Sequence, residues 1–180
     1  MSDLAVCVFC GSTNGRGERY AEVAAEVGRL LAERGITVVY GGGRVGTMGV
    51  VADAAMRAGG DVVGVIPDGL FDREIAHSDV TELHVVANMH ERKAKMAALS
   101  DAFLVLPGGI GTLEELFEAW TWAHLGIHGK PIGLLDVDGF YQPLVQMVDH
   151  MVTEGFLKAE SRDFVRVGTD AAELVDALVR

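Results

Sequence analysis

Two short strings bring together the side chains most able to do chemistry. One is PGGIGTLEE at 107–115, in which Glu114 and Glu115 follow a run of glycines, and the other is MHERKAKM at 89–96, with Arg92 and Lys93 side by side. Gly108, Gly109 and Gly111 make a loop whose backbone N–H groups can approach an anion without a Cβ in the way. Thr112 then opens a helix, its hydroxyl and free N–H groups directed at the occupant of the loop, an arrangement suited to cradling a monophosphate. The same residues admit a structural reading. T-x-x-E is also a capping box, in which Thr112 accepts from the Glu115 N–H and the Glu115 carboxylate reaches back to the Thr112 N–H. Spacing does not separate the two.

In the second string Met89, Arg92, Lys93 and Met96 fall at i, i+3, i+4 and i+7 and share a helix face. Two thioethers mixed with two cations suit a ligand wall, Met for a flat base and Arg for phosphate or carboxylate. Cations snorkelling from a surface helix would give the same pattern. Two further glycine segments complete the set: GGGRVGTMG at 41–49 and CGST at 10–13, with Ser12 as a ligand hydroxyl and Gly43 in the turn.

Such loops need strands beneath them. Short β-branched runs at 5–9, 37–40, 62–66, 84–86, 103–106, 132–135 and 164–167 alternate with helical patterns at 19–34, 46–58, 89–100, 112–125, 141–154 and 171–178. This alternation predicts an α/β fold, a doubly wound parallel sheet of about seven strands with helices on both faces. Ligands bind beyond the carboxyl ends of such strands, and each glycine segment follows one. Segments 15–17 and 67–79 are the least regular, the second long enough for a lid. With no linker or repeat, residues 1–180 read as a single domain.

Composition narrows the partners. Fifteen Lys and Arg against 26 Asp and Glu give a net charge of −11, which disfavours polymeric nucleic acid and anionic membranes. No apolar run nears the roughly 18 residues of a bilayer span, and Asp3 stands where a signal peptide would carry positive charge. A cytoplasmic protein is expected. Cys7 and Cys10 lie along a strand and its end, so they should face opposite sides as core residues. His124 and His128 have i, i+4 spacing, but Gly126 interrupts them and no H-E-x-x-H is present, so no metal is expected. Asp136 and Asp138 either reach the site mouth or form a turn. Gly41, Gly43 and Gly46 satisfy G-x-G-x-x-G, the mark of an NAD-dependent oxidoreductase. They follow the second strand rather than the first, and the acidic partner would have to be Asp68, beside Pro67.

In this order, CGST, GGGRVGTMG, MHERK and PGGIGTLEE closely resemble the LONELY GUY family of cytokinin riboside 5′-monophosphate phosphoribohydrolases over nearly the whole chain. Thr47 stands where Leu is commoner. The resemblance implies a Rossmann-like fold, a homodimer, and hydrolysis of an N-glycosidic bond to free base and ribose 5-phosphate. It assigns catalysis to Arg92 and Glu115 and needs neither cofactor nor metal. Beside that pair, Ser12, Gly43, Met89, Lys93 at the rim, Gly108, Gly109, Gly111, Thr112 and Glu114 are the expected contacts to a nucleoside 5′-monophosphate. Members have often been labelled lysine decarboxylases, a chemistry that needs an electron sink such as pyridoxal phosphate, for which no lysine context is evident. A non-catalytic nucleotide carrier of the same fold would keep the glycine loops.

Overall fold

A computed structural model describes residues 4–71 and 76–180. Seven parallel strands form one sheet: β1 (Ala5–Phe9), β2 (Thr37–Tyr40), β3 (Val62–Pro67), β4 (Glu82–Val86), β5 (Ala102–Val105), β6 (Ile132–Leu135) and β7 (Val165–Gly168). Their order is β4-β3-β2-β1-β5-β6-β7, all neighbours parallel. Winding therefore reverses between β1 and β5, the place where such a sheet opens a crevice.

Alternation along the strands sorts the core into two layers. Val6, Val8 and Cys10 pack with Val23, Val27 and Leu31 of α1 (Arg19–Glu33), Val51 of α2 (Gly46–Arg57) and Leu174 of α8 (Ala171–Val179). Cys7 and Phe9 face the other way, onto Met96 of α4 (Met89–Ala98), Leu116 and Trp120 of α5 (Ile110–His124) and Val148 of α6 (Gln142–Thr153). The two cysteines are buried and unbridged on opposite faces, as their spacing required. Helix α1 ends in a Schellman pair, Gly35 N–H to the Ala32 carbonyl and Ile36 N–H to that of Leu31, with Gly35 at φ +66.

Differences from the sequence expectation are local. Helix α5 starts at Ile110, two residues early, and two short helices, α3 (Asp68–Phe71) and α7 (Ala159–Arg162), occupy stretches read as loop. Of the expected lid, Pro67 ends β3 and α3 follows. Residues 72–75 lie outside the described residues. Ala76 then bridges Gly43, while buried His77 pairs with Asp53 of α2 at 2.8 Å. Among the described residues no helix is long and apolar enough to cross a membrane.

Candidate active site

A cavity of about 280 Å³ opens at the carboxyl ends of β1, β2, β3 and β5. Its wall includes Ser12, Gly43, Met89, Arg92, Gly109, Gly111, Thr112, Glu114 and Glu115, so most of the residues singled out above converge there. Gly108 and Lys93 do not line it. Gly108 packs behind, where a Cβ would fall 2.1 Å from Thr112 Oγ1, and Lys93 lies in a separate crevice with Phe9, Glu118 and Trp122. Cys10, Gly41, Met48, Ile66, Leu70 and Ile110 join the wall without having been singled out as ligands. Gly41, Met48 and Cys10 belong to motifs already noted. Ile110 likewise falls inside PGGIGTLEE, whereas Ile66 and Leu70 carry no chemical signature, so no sequence signal marks them.

Helix α4 enters under a full N-cap. Asn88 Oδ1 accepts from the Glu91 N–H at 3.0 Å, and Glu91 Oε2 accepts from the Ala87 N–H at 3.0 Å. A close relative of the capping box thus forms here, the Glu91 carboxylate reaching the N–H one residue before the N-cap, and none forms at Thr112 among the described residues. The face read as a ligand wall is divided among three tasks. Met96 is in the core, Met89 borders the cavity, and the two cations diverge. Arg92, 8% exposed, donates from Nε to the Val65 carbonyl at 3.1 Å and from Nη2 to the Gly41 carbonyl at 2.7 Å. Among the described residues Nη1 has the Met89 sulfur, at 3.6 Å, as its hydrogen-bond partner. Among the described residues no ion pair joins Arg92 to Glu115, so backbone carbonyls, not the carboxylate, hold the guanidinium. A Cβ on Gly41 would sit 1.9 Å from Nη2, so any side chain there must displace the guanidinium.

Lys93 departs further from expectation. Rather than assisting at the rim it is buried between helices, its Nζ paired with both Glu114 and Glu118. Thr112 is the third residue of α5, after Gly109 as N-cap, and its hydroxyl donates to the Cys10 carbonyl at 3.0 Å. Among the described residues no side chain caps α5, and no acidic residue occupies its first turn. Its first N–H groups and positive dipole end therefore face the cavity without a built-in anion.

Thr47, the departure noted above, grips the neighbouring loop. Its Oγ1 accepts from the Gly11 N–H at 2.9 Å and donates to the Gly11 carbonyl at 3.1 Å. Glu115 is 9% exposed. Burial pushes its carboxyl up from 4.5 to about 7, against the pull of Arg92 and with a further push from Glu114. The Cys10 thiol, pushed up to about 12 by burial and then by Glu115, stays protonated and is no nucleophile.

The remaining candidates are structural. Asp136 is buried, accepting from the Tyr141 N–H at 2.8 Å and from Gln142 Nε2 at 2.5 Å, while Asp138 pairs with Arg19. Both belong to a turn. His124 bonds Ser161 Oγ at 2.7 Å, and His128 accepts from the Lys130 N–H at 3.2 Å.

Comparison with known proteins narrows the choice. A family described as possible lysine decarboxylase matches residues 48–178. The cytokinin riboside 5′-monophosphate phosphoribohydrolase LOG of Oryza sativa subsp. japonica is 52% identical over 170 residues, 94% of this chain and 70% of its own. The chain belongs to the cytokinin riboside 5′-monophosphate phosphoribohydrolase family. Another member of this phosphoribohydrolase family, LOG7 of Arabidopsis thaliana, is 51% identical over 173 residues, 96% of this chain and 80% of its own. Among solved structures, the molybdenum cofactor binding protein of Rippkaea orientalis superposes with a TM-score of 0.74, covering 100% of this chain and 99% of that one. At 23% identity that likeness speaks for the fold alone.

Proposed function

We propose that this phosphoribohydrolase splits the N-glycosidic bond of cytokinin riboside 5′-monophosphates and of AMP, releasing free base and ribose 5-phosphate. The observation that carries the reading is a buried carboxylate, Glu115, and a buried guanidinium, Arg92, in one cavity with the uncapped amino end of α5. The 5′-phosphate sits on Gly109, Gly111 and Thr112. As the bond from C1′ to N9 stretches, its electron pair leaves with the base and positive charge builds on the ribose. The Glu115 carboxylate stabilises that charge and accepts a proton from the water attacking C1′; the departing base takes up one proton in exchange, from the Glu115 carboxyl or from solvent, so that one water is consumed and the carboxylate is restored. A guanidinium is no general acid, so Arg92 orients the ligand through Nη1. Ser12, Gly43 and Met89 line the sugar and base side.

A lysine decarboxylase is disfavoured by Lys93 itself. Burial alone would lower its ammonium, but Glu114 and Glu118 outweigh that and hold it above the ordinary range, the reverse of a Schiff-base lysine. A pure nucleotide carrier has no use for a buried carboxyl poised near neutrality. We further propose a homodimer, because Phe117 of α5 and its C-cap Leu125 are exposed, and Phe117 lines an apolar groove with Trp120, Val148 and Met151 between α5 and α6. Chromatography of products from AMP and isopentenyladenosine monophosphate tests the activity. Bound nucleotide without free base would point to a carrier, and a monomeric mass by light scattering would remove the dimer.

A further inference from the structure

Helix α4 carries two adjacent cations that go to different places. Arg92 turns to the carbonyls of Gly41 and Val65, while Lys93 turns to α5 and pairs with Glu114 and Glu118. These are the residues one before and three after Glu115, so three carboxylates occupy little more than one helical turn. Left to themselves, the two flanking charges would repel an ionised Glu115 and splay the side chains of that turn. Lys93 is 8% exposed and off the cavity wall, so its charge is spent between the helices.

We propose that Lys93 is a positioning residue: it ties Glu114 and Glu118 to α4 and so fixes both the place and the charge state of Glu115, without touching substrate. The inference rests on the reading of Glu115 as the catalytic carboxylate. The electrostatics agree in sign, Lys93 drawing the Glu115 carboxyl down while Glu114 and Glu118 push it up. Arg92 of α4 is the other cation facing it. From β1 and the residue after it come Cys7 and Cys10, whose thiols are raised by burial first and by Glu115 next, and which add no charge of their own.

The test is the pH profile of kcat/KM for AMP. Lys93→Met should move its acid limb up by roughly half to one pH unit, and Glu118→Gln should move it down by a similar amount. Combining the two should bring the limb back toward the parent, and Lys93→Arg should leave it near the parent. A raised KM on an unmoved limb, unrelieved by Glu118→Gln, would make Lys93 a substrate contact and overturn the proposal. Should Lys93→Met fail to fold, Glu118→Gln decides alone, since an unmoved limb there rejects the brace. Titration of Glu115 by carbon NMR in the same variants separates the two ideas. A Glu115→Gln enzyme that still turns over ends the catalytic reading, whereas a Glu115 titration indifferent to Lys93 ends this one.

Discussion

Arg92 Nη2 donates to the Gly41 carbonyl from the space that a Cβ on Gly41 would fill. The guanidinium is thereby located by the backbone at the ends of β2 and β3, not by a partner side chain. Gly41→Ala should displace it and lower kcat/KM by about 100-fold, the scale for misplacing a catalytic group by an ångström. The Gly41→Ala and Arg92→Ala losses should not add, because both remove the same contact. Additive losses in the double variant would show that Gly41 acts independently of Arg92.

Glu115→Gln keeps the shape and removes the charge. Base release from AMP should fall by at least about 100-fold while the fold persists. Near-normal turnover would leave Glu115 with packing alone.

The same variant should report on stability. The folded carboxyl titrates near 7 against 4.5 ordinarily, so the folded protein holds that proton more tightly than the unfolded chain. Wild-type stability contributed by this group is present below pH 4.5 and is lost as pH rises through about 7. Glu115→Gln should therefore be more stable than wild type above pH 7, by on the order of 3 kcal/mol, with the difference vanishing in acid. Denaturant titrations at two pH values measure this, and a pH-independent difference would contradict the buried, raised carboxyl.

Catalysis should follow the opposite limb. If the ionised carboxylate is the working form, kcat/KM for AMP rises as pH passes through about 7. A profile flat between pH 5 and 8 would place the titration elsewhere, in the sense that some other group then sets the limb.

Much of this was legible in the sequence because each glycine motif follows a strand, and a parallel sheet gathers strand ends into one place. The direction of Lys93 was not legible. Adjacent helical residues point about 100° apart, so a shared i, i+3, i+4 stripe conceals whether two neighbouring cations serve one site or two. The start of α5 was misread because Ile110 and Gly111 are poor helix formers, and T-x-x-E imitates a cap that the chain builds at Asn88 and Glu91 instead. Leu70 reaches the cavity from a four-residue helix, too short for any periodicity to announce.

Phosphate dependence is the sharpest discriminator among substrates. Adenosine would leave the oriented N–H donors of α5 without an anion, so its kcat/KM should lie about 10⁴-fold or more below that of AMP. Longer phosphate chains should also be poor, with Glu114 at the wall. Comparable values for adenosine and AMP would dismiss the glycine loop as a phosphate site.

Two threonine hydroxyls hold the Cys10 and Gly11 backbone, Thr47 at both polar groups of Gly11 and Thr112 at the Cys10 carbonyl. A surface loop would ordinarily trade its amide protons with solvent deuterium quickly. Gly11 should instead exchange as slowly as a central strand amide, opening only with the sheet itself. A nucleotide docking on a floor so fixed in advance would order no backbone there, sparing the affinity that a flexible loop would lose.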